Sequence, residues 1–179
     1  MKGLSKTLMK DTNNNKRLFI YDVDEKDEDM FLKFSDDFLF SASPMVKGCI
    51  GCFGCWIKTP GQCVLKDRCN VIQSYILKSN EVVIVSPILY GGYSPDIKSV
   101  LDRSIGYVLP YFRIVDGEMH HQLRYKHSFK LSVYFYGQCD DDEKNLAKRL
   151  VRANSINLGA DSYEVNFYDS VDLMRKVIG

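Results

Sequence analysis

EVVIVSPILYGGYSPDIKSVLDR, residues 81–103, is the stretch that decides the fold. Residues 81–86 are the plainest strand in the chain, a run of β-branched apolar side chains. The loop after them carries Gly91 and Gly92 and opens a helix: Ser94 suits the N-cap, Pro95 the first helical position, and Asp96 the positive end of the helix dipole. A strand that runs through a glycine loop into a helix is half of a crossover connection. Where that alternation recurs, a parallel sheet is expected, because parallel strands cannot be joined by a tight turn.

It recurs in both directions. Upstream, residues 17–23 (RLFIYDV) form a nearly continuous apolar run of the kind buried on both faces of a parallel sheet. A short helical stretch follows, with Met30, Phe31 and Phe34 on one side, and then a short strand over 38–42. Downstream of the cysteines, residues 67–79 read as a helix, with Val71, Ile72, Tyr75 and Ile76 at helical spacing. Beyond residue 103, an insert over 107–125 carries Asp116-Gly117 between two apolar-polar stretches, the signature of a β-hairpin. Residues 130–136 form another buried strand ending at Gly137. Asp140, Asp141 and Asp142 introduce a long amphipathic helix, with Leu146, Leu150, Val151 and Ile156 on its apolar face, stopped near Gly159. A last strand spans 163–168, and Ser170 caps a closing helix. The expectation is an α/β domain over 17–179, with a doubly wound, five-stranded, mainly parallel sheet of the flavodoxin-like kind, helices on both faces and a β-hairpin insert. Residues 1–16, ending in Asn13-Asn14-Asn15, read as a flexible tail.

Hydrophobic residues at 45% and charged residues at 26% match an ordinary globular chain, and 24 basic against 23 acidic residues leave a net charge of +1. No global field argues for nucleic acid or an anionic membrane, so the expected partner is a small-molecule redox cofactor or another protein. No apolar run approaches the length of a membrane span, and the start lacks the apolar block of a signal peptide. A cytoplasmic, reducing compartment is expected, which favours free or metal-bound thiols over disulfides.

Four of the six cysteines, Cys49, Cys52, Cys55 and Cys63, fall within fifteen residues, CIGCFGCWIKTPGQC. Three thiols this crowded leave one without a disulfide partner, and the interleaved glycines let the backbone aim several sulfurs at one point. C-x2-C-x2-C with a more distant cysteine suits a [4Fe-4S] cluster. Tetrahedral zinc is the nearest competitor, although no histidine lies near the segment. The plain alternative is a set of reduced, partly buried thiols packed as small hydrophobes.

In open α/β sheets a ligand binds outside the carboxyl ends of the strands, where the strand order reverses. Three loops meet there: 22–29, 87–94 and 137–140. The second suits a flat aromatic ligand, since its glycines permit close approach and its tyrosines can stack; the alternative is a tight turn with packed tyrosines. Taken together, the cysteine stretch, the KDRC that follows it and VVIVSPILYGGYSPDIKSVLDR resemble the flavodoxin-like NAD(P)H-dependent FMN reductases, and more narrowly the iron-sulfur flavoproteins. The resemblance implies an oxidoreductase or electron-transfer protein, with NAD(P)H as electron donor. It places the flavin ring against Pro87, Leu89, Tyr90, Gly91, Gly92 and Tyr93, with Gly137 and Gln138 on the opposite side, and makes Cys49, Cys52, Cys55 and Cys63 cluster ligands. Assembly as a homo-oligomer is expected.

The first loop departs from that pattern. Where the family holds the FMN phosphate with hydroxyls and amides, this chain has Asp22, Asp24, Glu25, Asp27, Glu28 and Asp29 with the single cation Lys26. Two like charges 4 Å apart repel by about 4 kcal/mol at an effective dielectric near 20, so the usual phosphate pocket is expected to be missing or rebuilt. Lys58, Lys66, Lys98 and Arg103 are candidates for compensating charge. The rival reading is a flavodoxin fold that has lost FMN and serves as a binding module or a cysteine-based metal or redox sensor. Of the smaller features, His120, His121 and His127 read as surface or interface residues beside the hairpin, Trp56 as a packing anchor or a cover for a ligand, and Cys139 as an inert thiol. The insert is expected either to lid the site or to pack on another subunit.

Overall fold

A computed structural model describes residues 16–178. The tail expected over 1–16 therefore lies, Lys16 apart, outside the described residues. Five strands, β1 (Arg17–Tyr21), β2 (Phe38–Ser41), β3 (Glu81–Pro87), β6 (Lys130–Tyr136) and β7 (Ser162–Tyr168), form one sheet in the order β2-β1-β3-β6-β7, every pair parallel. Without the hairpin strands this is the 2-1-3-4-5 order of the flavodoxin-like fold, with its reversal between β1 and β3. The hairpin forms as expected from β4 (Val108–Val115) and β5 (Glu118–Leu123), which turn at Asp116 (φ 51°) and Gly117 (φ 82°).

Alternation along each strand sorts the core onto two faces. Leu18, Ile20, Val82, Ile84, Leu131 and Val133 face α2 (Ile72–Leu77), α3 (Pro95–Arg103) and α4 (Asp141–Leu158). Phe19, Tyr21, Val83 and Val85 face the 3-10 helix Glu25–Phe34 and α5 (Val171–Arg175). Three residues per turn put Phe31 and Phe34 on one side of that 3-10 helix. There Phe34 stacks on Phe19 at 4.5 Å and Phe31 on Tyr21 at 3.9 Å. The helix expected over 67–79 is instead a 3-10 turn, Arg68–Val71, running into the shorter α2.

The expected caps are present. The Ser94 side chain accepts from the Ile97 amide with Pro95 at the helix start, Asp140 and Glu143 close a capping box on α4, and Gly159 ends α4 in the left-handed region at φ 74°. Because α3 and α4 return from the carboxyl ends of β3 and β6, their last turns lie toward the opposite end of the sheet. The hairpin sits there: Arg113 donates to the Ile156 carbonyl at 2.8 Å, and His120 Nδ1 meets Asn157 Oδ1 at 2.9 Å. It therefore roofs the far ends of α3 and α4 and does not lid the carboxyl edge. Among the described residues no helix is long and apolar enough to cross a membrane.

Candidate functional site

The cysteine segment leaves β2 and wraps over α3. Its one helical turn, α1 (Gly54–Ile57), starts after Phe53, which takes a left-handed φ of 52°. Gly54 fits closely there, because a Cβ at that position would lie 2.6 Å from Val64 Cγ1. Cys49, Cys52, Cys55 and Cys63 all line one cavity of about 100 Å³, whose other walls are largely apolar, Ile50, Phe53, Val64, Leu65 and Ile105. Cys49 and Cys52 are exposed, Cys63 is half-buried and Cys55 buried. Burial pushes the Cys55 thiol up, and the neighbouring Cys63 sulfur adds to the shift. Four thiols that repel one another as thiolates form a donor set that a cationic centre would relieve. Among the described residues, however, no three His, Cys, Asp or Glu side chains converge on a point that one ion could occupy. Tetrahedral zinc needs sulfurs roughly 3.8 Å apart, as follows from a 2.3 Å Zn–S bond. A four-iron cluster fills a volume between its ligands and suits thiols spaced around a cavity.

Arg103 organises this segment. It is buried at 3% exposure at the end of α3, and every nitrogen of its guanidinium is used. Nε donates to Cys63 Sγ at 3.1 Å. Nη1 donates to Lys47 O and Asp67 Oδ2, and Nη2 to Leu65 O, Asp67 Oδ1 and Asn70 Oδ1. The fork on Asp67 is bidentate, the strong geometry for an arginine-carboxylate pair. The bond from Arg103, aided by the Cys69 amide, holds the Asp67 carboxyl below its ordinary value. One side chain thus fixes both flanks of the cysteine segment, at 47 and at 63–70. Trp56 anchors the middle, its Nε1 donating to the carbonyls of Ile105 (3.2 Å) and Val108 (3.0 Å). Cys69 lies outside the cavity lining, and burial pushes its thiol up to about 11.

At the carboxyl edge the expected ring-binding residues divide. Tyr90 stands out at 90% exposure with φ 51°, and Leu89 beside it is exposed. Gly91, at φ 72°, packs directly on α4: a Cβ there would lie 2.9 Å from the Glu143 carbonyl. Tyr93 turns inward, its ring 5.3 Å from Phe135 and its hydroxyl accepting from Asn154 Nδ2. Burial pushes its phenol up to about 12. The turn 89–92 is closed by reciprocal bonds between Leu89 and Gly92, and Ser86 Oγ accepts from the Ser94 amide. Gly137, at φ 108°, and the exposed Gln138 end β6 at the same edge, followed by the half-buried Cys139.

The first loop is committed to other contacts. Arg175 of α5 donates to Asp27 and, through two bonds, to Asp29; Glu28 accepts from Ser41 Oγ at 2.9 Å; Lys26 lies 3.8 Å from Asp24. Val23 is buried, and the Tyr136 hydroxyl donates to the Asp22 carbonyl at 2.8 Å. Burial raises the Tyr136 phenol, with Asp22, Asp24 and Asp27 adding to it. Two cations against six carboxylates leave the loop acidic, and its residues do not fit a phosphate dianion. Lys98 pairs with Asp102 and Arg103 is held by Asp67, so neither supplies the missing charge.

The histidines differ from one another. His127 Nε2 lies 3.0 Å from the carbonyls of both Ile76 and Ser79, which makes it a tie between α2 and the segment before β6. His120 is buried and not a surface residue, since the hairpin folds it onto α4. His121 lies between the rings of Trp56 (5.1 Å) and Phe112 (5.0 Å).

Fold and site together define a flavodoxin-like α/β protein with a four-cysteine cavity. No family model matches the sequence. The chain is similar to an iron-sulfur flavoprotein of Methanocaldococcus jannaschii, 31% identical over 68 residues, which are 38% of this chain and 34% of that protein. The match thus spans about a third of the length of the curated relative. Among solved structures, the NAD(P)H:quinone oxidoreductase of Methanothermobacter marburgensis superposes with a TM-score of 0.56 at 12% identity, over 91% of this chain and 93% of that one. The general stress protein 14 of Treponema denticola, solved in complex with FMN, gives 0.52 at 16% identity over 90% of each chain. The curated match bears out the resemblance to iron-sulfur flavoproteins over that stretch, and the solved structures bear out the flavodoxin-like fold.

Proposed function

We propose that the protein is a flavodoxin-fold redox protein whose cysteine cavity holds a [4Fe-4S] cluster through Cys49, Cys52, Cys55 and Cys63, and which works with FMN as an oxidoreductase or electron-transfer protein. The observation that carries the cluster is the convergence of all four thiols of one short segment on a single, largely apolar cavity, with a buried arginine donating to one sulfur. When bound, such a cluster exchanges single electrons, at a potential set by hydrogen bonds to its sulfurs and by exposure to water. Arg103 acts through the first, donating to Cys63 Sγ, and adds a buried positive charge beside the site.

For the flavin, support comes from the exposed Tyr90 and the backbone of Pro87, Leu89, Gly91 and Gly92, with Gly137 and Gln138 across the edge, and from the FMN bound by a relative of the same fold. Tyr93 contributes by packing the loop onto the core. NAD(P)H is the donor that the family resemblance implies. The exposed Phe112, Ile114 and Met119 share one face of the hairpin and make it an apolar surface suited to a second copy of the chain, which supports a homo-oligomer.

A second reading is favoured by the acidic first loop: a protein that keeps the fold and the cysteine site but not FMN, acting as a metal or redox sensor. Anaerobic reconstitution with ferrous iron and sulfide, followed by metal analysis and an absorption spectrum, tests the cluster. About four irons per chain and a broad thiolate-to-iron charge-transfer band in the visible are expected. Zinc without iron, or a colourless protein, overturns it. FMN titration separates the two readings, since a dissociation constant no better than millimolar leaves only the sensor.

A further inference from the structure

An open cleft lies at the opposite end of the sheet from the carboxyl edge, where the hairpin meets the last turn of α4 and the segments that lead into β6 and β7. It spans about 710 Å³, within the range of small-molecule sites. Three cations line it, Arg113 of β4 and Arg124 and Lys126 of the segment between β5 and β6. Against them stands a single carboxylate in the lining, Asp161.

None of the three cations has a carboxylate partner among the described residues. The neighbouring acids are held by other bases: Asp116 and Glu118 lie within 4.0 Å of Arg152, and Glu81 and Glu164 pair with Lys130. Asp161 accepts from Ser128 Oγ at 2.5 Å. Backbone carbonyls tether the guanidiniums without neutralising them. Arg113 donates through Nε to His121 O and through Nη2 to Ile156 O, and Arg124 through Nε to Gly106 O. Nη2 of Arg124 is buried and takes no part, but Nη1 of each arginine touches water and makes no hydrogen bond. Arg113 meets the negative pole of α4, equivalent to about half a charge, so that pole and Asp161 together leave about one and a half of the three positive charges uncompensated. Fixed like charges repel one another, and an anion placed among them relieves the repulsion.

We propose that this cleft binds a phosphate dianion, free or carried by a small organic molecule, held by Arg113, Arg124 and Lys126. A guanidinium presents its donors in a planar fork that matches phosphate oxygens, and an ammonium adds a point charge. Both arginines are already oriented by their carbonyl bonds, so little ordering remains to be done on binding. The rest of the lining includes the apolar Leu123 and Ile156 and the half-buried Tyr125, which suit the organic part of a phosphate ester. The carboxylates that disfavour phosphate in the first loop are at the other end of the sheet. Binding here requires neither a cluster nor a flavin.

The test uses inorganic phosphate and phenyl phosphate at low salt and about pH 8, where both are dianions. Isothermal titration calorimetry on the full chain should give a dissociation constant of about 1 mM or better for at least one of them. Tighter binding of phenyl phosphate assigns the site to an ester, and equal affinity assigns it to the free ion. Lys126 is exposed and makes no bond within the chain, so its variants should fold as wild type. Lys126→Glu should weaken binding about tenfold or more, and Lys126→Gln about threefold, as expected for reversing and removing one nearby charge. Arg124→Gln should weaken it about tenfold, and Arg124→Lys should recover part of the loss. Lys176→Glu makes the same change in net charge just past α5, on the other face of the sheet, and should leave the affinity within about twofold. Thermal unfolding of each variant confirms that it is folded, and the Lys126 pair keeps the test decisive if an Arg124 variant is not. Binding of neither compound at about 10 mM, a Lys126→Glu variant that binds as wild type, or an equal loss in Lys176→Glu would overturn the proposal.

Discussion

Replacing Arg103 by methionine removes five N–H donors and the positive charge beside Cys63 while keeping most of the buried stem. The consequence follows from its contacts. Asp67 loses a bidentate partner at 2.9 Å and is left mostly buried, with a side-chain exposure of 17%. Removing one member of a buried pair costs about 3–5 kcal/mol. Because water reaches part of Asp67, the lower end, about 3 kcal/mol, is expected. For a chain of 179 residues each kcal/mol is worth about 2–4 °C in Tm, so unfolding followed by circular dichroism should shift down by about 6–12 °C. The effect should depend on pH with a definite sign. Asp67 has a folded pKa depressed below its ordinary 3.8, so the stability it contributes is fully present above that value and is lost as pH falls through the depressed one. The gap between wild type and Arg103→Met should therefore be full at pH 6 and narrow at and below about pH 3.8. Arg103→Lys should recover little, since an ammonium cannot span Cys63, Asp67 and two flanking carbonyls at once. A double-mutant cycle with Asp67→Asn should return a coupling of about 2 kcal/mol. A Tm within about 2 °C of wild type, strict additivity, or a gap that widens in acid would refute the assignment of Arg103 as the organiser of the cysteine segment.

Neutralising Asp24 and Glu25 to serine, two exposed carboxylates outside the Arg175 clamp, should strengthen FMN binding by about tenfold or more while leaving riboflavin unchanged; fluorescence titration of both flavins decides it. Gly91→Ala should cost about 2 kcal/mol or more in chemical denaturation, because the residue needs φ 72° and a Cβ would meet the Glu143 carbonyl at 2.9 Å. Asp140→Ala breaks the capping box of α4 and should cost about 1 kcal/mol, a fall in Tm of about 2–4 °C. Cys55→Ser, at the buried thiol of the cavity, should reduce iron retained after anaerobic reconstitution well below the wild-type level, whereas Cys69→Ser should retain it; equal iron in the two variants would dissociate the cavity from metal binding.

Local rules were enough for the sheet and its connections. Apolar runs of strand length, Ser94-Pro95 at one helix start, Gly159 at another's end and Asp116-Gly117 in the hairpin each act within a few residues, so the sequence displays them directly. The gathering of the four thiols was legible for the same reason, since spacing and glycines confine them. What escaped were side-chain partners brought together by the whole fold. Arg103 reaches Cys63 across 40 positions and Asp67 across 36, and Arg175 reaches Asp29 across 146. Nothing local marks these arginines among the 24 basic residues. Tyr93 was read as a ring-facing tyrosine beside Tyr90, yet it turns inward because Phe135 and Asn154 take up its ring and hydroxyl. The 3-10 form of residues 25–34 likewise depends on packing that no periodicity encodes.

The arrangement also separates two properties that the flavodoxin fold usually joins. The edge where β1 and β3 diverge is a consequence of topology, and any sequence that folds this way inherits it. A phosphate cradle is not inherited, because it depends on the charge and hydroxyl content of one loop. In this chain the Tyr136 hydroxyl holds the loop's backbone from within and Arg175 of α5 clamps it, so the carboxylates of Asp27 and Asp29 are partners in the structure and not idle surface charges. Substituting them for FMN would loosen α5, and keeping them disfavours the phosphate. The cysteine cavity carries no such conflict. Its organiser, Arg103, serves the fold through Asp67 and the site through Cys63 with the same guanidinium, so stabilising the segment and holding the thiols in place are one requirement.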